Sequence, residues 1–477
     1  MVKPKIIETS RPVSGENTVY LVSSVNEIPS GTFSRKELDY IKERKEKGKA
    51  GWVPFNRLGY WEFVQFIPDE KDPDQRNEAL RKAGDHLQEF LNEHRAGSVT
   101  IKGTGDAAAL MAVAEGMALG SYRFVKYKTV PEEQSTLEAV GIGSGTISLK
   151  ETSELTAVVE GVCFARDLIN EPNSYLSAVV FGSTLEKMGK SCGIEVEVMN
   201  RNKLEALKMG GILGVNKGSH EPPVMVAMEY RPARFRNKKP IVLVGKGVMF
   251  DTGGMNLKPD DSMNNMKDDM SGGAAVAGTL MAIAKAKLPV HVVGLVPATD
   301  NRPGERAIVS GDVLRMHNGT TVEVINTDAE GRLILADALS YAARYKPELV
   351  VDLATLTGSA SRALGKNAMA GMQSKAEDHF KNLIRSGFAV HERIVELPLW
   401  EDYAEGLKSD IADVKNLAGP EAGAITAGKF LEKFTSYPFI HLDIAGPAFL
   451  EKRDGYRGTG GTGVGVRLLF DFLKNHI

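Results

Sequence analysis

Cysteine is nearly absent from this chain, in which Cys163 and Cys192 are the only two. A single pair cannot build a disulfide framework, so a reducing compartment is expected. The chain also lacks any apolar run near the roughly 20 residues that a membrane-spanning helix needs. Residues 1–10 lack the apolar core of a signal peptide. These absences predict a soluble cytoplasmic protein without a membrane partner.

Neither sign of charge is in excess. The 59 lysines and arginines nearly balance the 61 aspartates and glutamates, for a net charge of −2. This balance argues against an extended surface for polyanions, so a nucleic-acid partner is not expected. The densest charged run, residues 35–49, mixes both signs and is typical of a solvated helix or loop. A nucleic-acid contact by this run is the alternative.

Length and pattern predict an α/β protein of more than one domain. At 477 residues the chain is too long for one ordinary core. Strand-like and helix-like runs alternate through residues 1–150, which indicates a smaller N-terminal α/β domain. Residues 151–170 are amphipathic and are expected to form a linker helix. Residues 171–477 are expected to form a larger C-terminal α/β domain, whose mostly parallel or mixed central sheet is flanked by helices. Its strand-like runs are residues 195–199, 224–230, 241–244, 290–296, 322–325 and 349–353.

The most informative segment is residues 326–332, which contains Asp328, Glu330 and Arg332. It follows the strand-like residues 322–325 and precedes a helix-like run, so the carboxylates are expected where a strand ends. In open α/β sheets that edge binds ligands. Residues two apart in extended chain point to the same side, so the two carboxylates are expected to converge. Converging carboxylates repel unless a cation lies between them, and the segment therefore predicts a metal site.

A second segment supplies similar groups after another buried strand. Lys246, Asp251, Lys258 and Asp269 follow residues 240–244 within 25 positions. The two segments together hold four carboxylates, and oxygen-rich sites suit Mg²⁺, Mn²⁺ or Zn²⁺. Four carboxylates are more than one divalent ion usually needs. Two ions about 3.5–4 Å apart would use them all.

These segments resemble the leucyl aminopeptidase (cytosol aminopeptidase) family of dimetal peptidases. The resemblance covers roughly residues 155–470, and its most specific motif is residues 326–332. The other matching motifs, in the family's order, are residues 245–258, 269–270, 352–358, 409–413 and 441–446. The resemblance implies that the larger domain, residues 171–477, is a catalytic dimetal peptidase domain.

The resemblance also implies a ligand set for two divalent ions, Mn²⁺ or Zn²⁺. One ion would be bound by Asp251, Asp328 and Glu330, with the Asp328 carbonyl as a further oxygen. The other would be bound by Lys246, Asp251, Asp269 and Glu330. A lysine ligand must first lose its proton, which two adjacent dications favour. From the residues alone, Asp268 is an alternative to Asp269.

The remaining roles follow from the same resemblance. Lys258 would stabilise the developing oxyanion, and Arg332 would hold a bicarbonate that acts as general base. The pocket for the first side chain would be lined by Met266, Thr355, Gly358 and Ala445. One departure from the family's pattern lies beside this pocket, where Ser359 stands in place of the usual alanine.

The implied reaction is removal of an N-terminal residue, preferably leucine or another apolar one, from a peptide with a free N-terminus. Water activated by both metal ions would attack the first peptide carbonyl. Family members are usually homohexamers, so a homohexamer is expected. The alternatives are a nucleic-acid-binding accessory protein and a non-catalytic scaffold on the same fold. His441, Asp443 and Asp352 are interpreted as buried structural groups rather than as a catalytic set.

Overall fold

The computed structural model of the chain describes residues 4–9, 15–48, 51–103, 105–130, 134–143, 145 and 147–477. The chain divides into two units, one of Met1–Cys163 with Lys452–Gly458 and one of Phe164–Glu451 with Thr459–Ile477. Both units combine helices with a mixed sheet, which confirms the predicted α/β fold class. Within the described residues, no helix is long and apolar enough to cross a membrane.

The first unit is built on a six-stranded sheet in the order β1-β6-β5-β2-β4-β3, parallel except for β3. Its strands are β1 (Lys5–Glu8), β2 (Thr18–Val22), β3 (Trp52–Asn56), β4 (Trp61–Phe66), β5 (Ser98–Gly103) and β6 (Ala139–Gly143). Its helices are α1 (Arg35–Glu46), α2 (Pro73–Glu93) and α3 (Ala107–Gly120), and α4 (Leu149–Asn170) continues into the second unit. The charged run of residues 35–49 thus falls largely on α1, where Ile41 is the buried residue.

The second unit contains a nine-stranded sheet in the order β16-β15-β18-β14-β9-β11-β8-β7, with β10 paired to β11. The strands of this sheet are β7 (Glu195–Met199), β8 (Val224–Tyr230), β9 (Ile241–Gly245), β10 (Gly247–Asp251), β11 (Val292–Asn301), β14 (Leu349–Ala354), β15 (Met369–Ser374), β16 (Ile394–Glu396) and β18 (Phe439–Asp443). Two small sheets are formed by β12 (Val313–Arg315), β13 (Thr321–Glu323) and β17 (Val414–Lys415), and by β19 (Phe449–Leu450) and β20 (Gly460–Gly461).

The helices of the second unit connect and cover these strands. They are α5 (Ala178–Cys192), α6 (Arg201–Ala206), α7 (Gly210–Asn216), α8 (Asp260–Met263), α9 (Ser271–Lys285), α10 (Gly331–Ala342), α11 (Gly358–Leu364), α12 (Glu377–Ala389), α13 (Gly423–Glu432) and α14 (Val466–Asn475). The centre of the sheet is parallel, because β18, β14, β9 and β11 all run in one direction. Their carboxyl ends therefore share one edge, where loops carry side chains towards a common point.

One strand prediction was wrong in a way that matters for the site. Residues 322–325 were expected to be a strand that delivers Asp328 and Glu330 to the edge of the main sheet. The strand is shorter, β13, and belongs to the small sheet with β12 and β17. Residues 324–330 form a loop before α10. Because Val322 and Val324 are both fully buried, an apolar pattern cannot distinguish a long strand from a short strand followed by a buried loop.

Candidate metal centre and active site

The candidate ligands are brought together by five short segments. Lys246 directly follows β9, and Asp251 is the last residue of β10. Asp269 lies in a 3-10 turn, Met266–Met270, that leads into α9. Asp328 lies in a turn, and Glu330 occupies the N-cap position of α10. Parallel strand ends thus supply two of the side chains, the starts of two helices supply Asp269 and Glu330, and a turn supplies Asp328.

Two lysines and four carboxylates form ion pairs at this point. Lys246 Nζ lies 2.7 Å from Asp269 Oδ1 and 2.9 Å from Glu330 Oε1. Lys258 Nζ lies 2.8 Å from Asp251 Oδ2 and 2.6 Å from Asp328 Oδ1. Carboxylate oxygens of Asp251, Asp328 and Glu330 lie within 4.8 Å of one another. One small volume therefore holds all of the side chains that the motifs singled out as ligands.

The convergence of Asp328 and Glu330 does not arise from extended chain, as the sequence pattern suggested. Residues 327–328 form a turn, and Glu330 has helical dihedral angles, φ −76° and ψ −37°. The turn and the start of α10 direct both carboxylates to one side. Space for this arrangement comes partly from Gly331, where a Cβ atom would lie only 2.7 Å from Lys246 Nζ.

Burial and mutual repulsion shift the protonation equilibria of these groups. Burial, with the Asp251 and Glu330 carboxylates, raises the pKa of Asp328 to about 6. Burial also raises the pKa values of Asp269 and Glu330. For Lys246, burial alone would lower the pKa, but the surrounding carboxylates outweigh it and raise the pKa. A ligand role for Lys246 therefore requires a strong competitor for its proton, such as a divalent cation.

Unused carboxylate oxygens provide a test of whether these residues fit metal ions. Asp269 Oδ2 and Glu330 Oε2 are buried, and no donor among the residues that the structure describes reaches either atom. Buried charges without hydrogen bonds are costly, whereas coordination to a cation satisfies them. The donor set is carboxylate oxygen with one amine nitrogen, which suits Mn²⁺, Mg²⁺ or Zn²⁺. The residues present therefore fit divalent metal ions.

Arg332 is buried like the neighbouring carboxylates and is only 4% exposed. Its Nη1 donates to the backbone oxygen of Asn416 at 2.8 Å, while Nε finds no acceptor among the described residues. Burial lowers the pKa of Arg332 to about 10, so the guanidinium stays charged at neutral pH. A buried, charged group with a spare donor beside the cavity is suited to a small anion.

A cavity of about 450 Å³ adjoins the cluster. The candidate pocket residues that line it are Met266, Thr355, Gly358 and Ala445. Thr355 also donates from Oγ1 to Asp269 Oδ1 at 2.8 Å, so it connects the pocket to a candidate ligand. Asp268 lines the same cavity, and burial raises its pKa to about 7. The distances favour Asp269 over Asp268 as the partner of Lys246.

Sequence reasoning missed the amide side chains that hold the candidate ligands. Asn301, at the end of β11, donates from Nδ2 to Asp251 Oδ1 at 2.8 Å and to the Thr327 carbonyl at 3.0 Å. Thr327 in turn donates from Oγ1 to the Gly253 carbonyl at 2.6 Å. These bonds join the loop after β10 to residues 326–332. A single asparagine at a strand end belongs to no recognisable sequence motif. Only the position of Asn301 at the end of β11 could have indicated that it holds Asp251.

Asn416 was missed for the same reason and makes more contacts. Its Oδ1 accepts from the N–H of Ile325 at 2.7 Å and of Asn326 at 3.3 Å. Its Nδ2 donates to the carbonyls of Asn326 at 2.8 Å and Ala329 at 3.4 Å. The side chain is fully buried, and the backbone oxygen accepts from Arg332. Asn416 therefore holds the loop that carries Asp328 through its side chain, and it orients Arg332 through its backbone oxygen.

Behind the site, Asp352 on β14 and His441 on β18 form a fully buried pair on neighbouring strands. His441 thus pairs with Asp352 rather than with Asp443. Asp443 Oδ2 accepts from Thr357 Oγ1 at 2.7 Å, and its Oδ1 accepts from the N–H of Leu356 at 3.2 Å. Neither carboxylate lines the cavity. Asp443 instead fixes the loop that leads from Thr355 to Gly358.

Comparisons with known proteins agree with the motifs. The family model described as the cytosol aminopeptidase family, catalytic domain, matches residues 163–470. A probable cytosol aminopeptidase of Geobacter sulfurreducens is 45% identical over 387 residues, which are 80% of this chain and 78% of the relative. Another, of Chlorobaculum tepidum, is 47% identical over 376 residues, 76% of this chain and 74% of the relative.

Solved structures give the same result for the whole fold. The bottromycin maturation enzyme BotP in complex with Mn has a TM-score of 0.84 and 29% identity, covering 96% of this chain and 99% of that one. A mutant of tomato leucine aminopeptidase has a TM-score of 0.86 and 26% identity, covering 100% of this chain and 97% of that one. The resemblance inferred from the motifs is therefore confirmed.

Proposed function

The chain belongs to the cytosol aminopeptidase family, and from that premise we propose that it uses two divalent metal ions to remove N-terminal residues, preferably leucine or another apolar residue, from peptides. Membership of the family makes the protein a peptidase, which is a hydrolase. The observation that supports the finer proposal is the cluster of four carboxylates and two lysines beside the cavity.

The proposed metal-binding residues are those whose atoms converge. One ion would be held by Asp251, Asp328 and Glu330, and the other by Lys246, Asp251, Asp269 and Glu330. Bound ions would supply Lewis acidity, lowering the pKa of a water molecule and polarising the peptide carbonyl. Manganese in the related BotP structure supports Mn²⁺, and zinc is the alternative that the donor set also accepts.

Lys258 is proposed to stabilise the oxyanion that develops on the first peptide carbonyl. Its ammonium group lies between Asp251 and Asp328, which raise its pKa although burial opposes them. A positively charged donor in a largely enclosed site interacts strongly with developing negative charge. The two carboxylates also keep Nζ in a fixed position, so little reorganisation is needed during the reaction.

Arg332 is proposed to hold a bicarbonate ion, which would accept the proton released during the attack. The guanidinium is buried and charged, and its Nε donor finds no acceptor among the residues that the structure describes. A bound anion is a reasonable general base here, because the carboxylates of Asp251, Asp269 and Glu330 are all proposed to bind metal. The planar guanidinium matches the geometry of a small carboxylate-like anion.

The free N-terminus would be recognised by the metal ions, and the first side chain by the pocket. An unacylated amine has a lone pair that a metal ion can accept, whereas an acylated nitrogen does not, so the reaction is confined to the first residue. Met266, Gly358 and Ala445 offer an adaptable, mainly small-residue wall for the first side chain. Discrimination between similar aliphatic side chains is therefore expected to be modest.

Location and assembly belong to the proposal as well. The relatives' printed name, cytosol aminopeptidase, supports a cytoplasmic location. A homohexamer is proposed on the resemblance to the family alone. The names of the relatives describe peptidases and a maturation enzyme, which gives the nucleic-acid alternative no support.

Hydrolysis of leucine-p-nitroanilide by metal-free protein, with Mn²⁺ or Zn²⁺ added back, tests the proposal. We expect activity only after metal addition, and none on N-acetyl-leucine-p-nitroanilide, because the acetyl group removes the amine that the site recognises. Equal cleavage of the two substrates would contradict an aminopeptidase. Absence of activity with every metal, in folded protein, would contradict a peptidase with this site.

A further inference from the structure

The cavity holds one cationic side chain that the proposed chemistry does not use. Four cations line it: Lys246, Lys258, Arg332 and Arg362. The two lysines are each paired with two carboxylates, and Arg332 is buried with a backbone acceptor. Arg362, on α11, is exposed to the cavity and donates from Nη2 to Ser359 Oγ at 3.5 Å. In the described ranges of the chain, no carboxylate lies within ion-pair distance of its guanidinium.

The position of Arg362 links it to the pocket for the first side chain. A Cβ atom on Gly358 would lie 3.0 Å from Arg362 Nη1 and 3.8 Å from its Cζ. The guanidinium therefore covers Gly358, which is one wall of that pocket. Met266, Thr355 and Ala445 line the same cavity. A side chain that packs its methylene groups against these residues would bring its end towards Arg362.

A guanidinium without an anionic partner selects for a planar anion, above all a carboxylate, which it can bind with two parallel hydrogen bonds. A peptide offers a carboxylate from two sources, an acidic first side chain or the C-terminus of a very short peptide. The contact of Arg362 with Gly358 favours the side chain. Glutamate fits better than aspartate, because its two methylene groups can occupy the apolar part of the pocket.

We propose that Arg362 is a specificity-determining residue that extends the substrate range to peptides beginning with glutamate, by pairing with its side-chain carboxylate. This inference rests on the proposed aminopeptidase function. It adds a charged class of first residue to the apolar class, since leucine and glutamate would share the inner wall of the pocket and differ only at its outer end.

The test compares kcat/KM for the p-nitroanilides of leucine, glutamine and glutamate, using metal-reconstituted protein. Glutamine and glutamate have the same shape, so their ratio isolates the charge. We expect the wild-type protein to favour glutamate over glutamine, and Arg362→Met to lower the glutamate-to-glutamine ratio about tenfold, as for a charge-assisted hydrogen bond in a partly solvated site. Arg362→Glu should reverse the preference and favour lysine-p-nitroanilide over the glutamate substrate.

The matched control is Arg385→Met, which removes an exposed arginine on α12 that donates to Asn382 at 3.1 Å and does not line the cavity. Its glutamate-to-glutamine ratio should equal that of the wild-type protein. Thermal unfolding of each variant checks folding. Arg362→Lys keeps the charge but not the two parallel hydrogen bonds, so it should retain only part of the preference. A ratio that Arg362→Met and Arg362→Glu leave unchanged would overturn the proposal.

Three further outcomes separate the remaining explanations. Hydrolysis of leucylglycine and its C-terminal amide reports on the other carboxylate source, because p-nitroanilides have no C-terminal carboxylate. If Arg362→Met slows hydrolysis of the free dipeptide only, the guanidinium binds the C-terminus and the proposal is overturned. If the wild-type protein cleaves the leucine substrate but shows no effect at Arg362, only this inference fails. If the leucine substrate is not cleaved at all, the proposed function fails with it.

Discussion

Replacing Glu330 by glutamine is expected to abolish metal-dependent hydrolysis of leucine-p-nitroanilide. Glu330 is buried, its Oε1 lies 2.9 Å from Lys246 Nζ, and its Oε2 has no donor among the described residues. An amide keeps the shape of the side chain but removes its charge. Loss of a partner of a metal ligand typically lowers metal affinity or activity roughly 10- to 100-fold, so loss of a residue that would hold both ions should lower kcat/KM by about 1,000-fold or more. Steady-state kinetics measure the loss of kcat/KM, and calorimetric titration measures the binding of Mn²⁺.

Glu323→Gln is the matched control for this prediction. Glu323 is also an acid of the segment before α10, but its Oε2 accepts from Ser409 Oγ at 2.5 Å, on the small sheet rather than in the cavity. The control should bind Mn²⁺ and hydrolyse the substrate as the wild-type protein does. Wild-type kinetics in folded Glu330→Gln would show that this carboxylate is not a metal ligand.

Replacing Lys258 by methionine should reduce kcat by about 100- to 1,000-fold, the usual loss when an oxyanion donor is removed. The ammonium group lies 2.8 Å from Asp251 Oδ2 and 2.6 Å from Asp328 Oδ1, so its position depends on two candidate metal ligands. KM should change much less, because the proposed interaction strengthens only as the carbonyl oxygen becomes charged. Steady-state kinetics on leucine-p-nitroanilide at saturating Mn²⁺ provide both constants.

Lys381→Met removes the same charge from an exposed position on α12, where Lys381 pairs with Asp378 at 3.9 Å. Its kinetic constants should match those of the wild-type protein. The proposed role of Lys258 would be contradicted by a variant whose KM rises while kcat is unchanged, since that pattern indicates an interaction made equally in the bound substrate. Measurement at saturating Mn²⁺ separates this effect from weaker metal binding.

The hypothesis of a metal site could be drawn from the sequence because it depends on residue types at short spacing. Asp328, Glu330 and Arg332 lie within five positions. Alone they could also form a capped helix start with a salt bridge, and the segment from Lys246 to Asp269 makes a metal site the better explanation. The strand-like run before Lys246 was equally clear, and the structure brings the two segments together. The path of the chain was harder to predict, because Asp328 lies in a turn and Glu330 begins a helix. The two carboxylates converge because of that turn and the start of α10, not because of the expected extended geometry.

The residues that position the ligands could not be predicted in the same way. Asn416 lies 84 positions from Arg332, and a single asparagine in a loop has many ordinary uses. Its role depends on complete burial and on satisfying four polar groups of residues 325–329, which only the folded chain shows. Arg362 was overlooked for a related reason. Its significance comes from lacking a carboxylate partner in the described part of the chain, a property that sequence spacing does not record.

The same limit applies to the strands. β11 extends to Asn301, five residues beyond the predicted end at residue 296, because its continuation pairs with β8 and β10. Pro297 and polar residues 299–301 weakened the pattern there, although all are buried. That extension places Asn301 beside Asp251, so a boundary error of a few residues concealed a contact within the site.

We propose that two catalytic metal ions are held by Lys246, Asp251, Asp269, Asp328 and Glu330. The most direct measurement is titration of metal-free protein with Mn²⁺ while hydrolysis of leucine-p-nitroanilide is recorded after each addition. We expect activity to rise until two equivalents per subunit are bound, and Glu330→Gln to remain inactive throughout. Full activity of the metal-free protein in the presence of a chelator would contradict the claim, as would full activity at one equivalent.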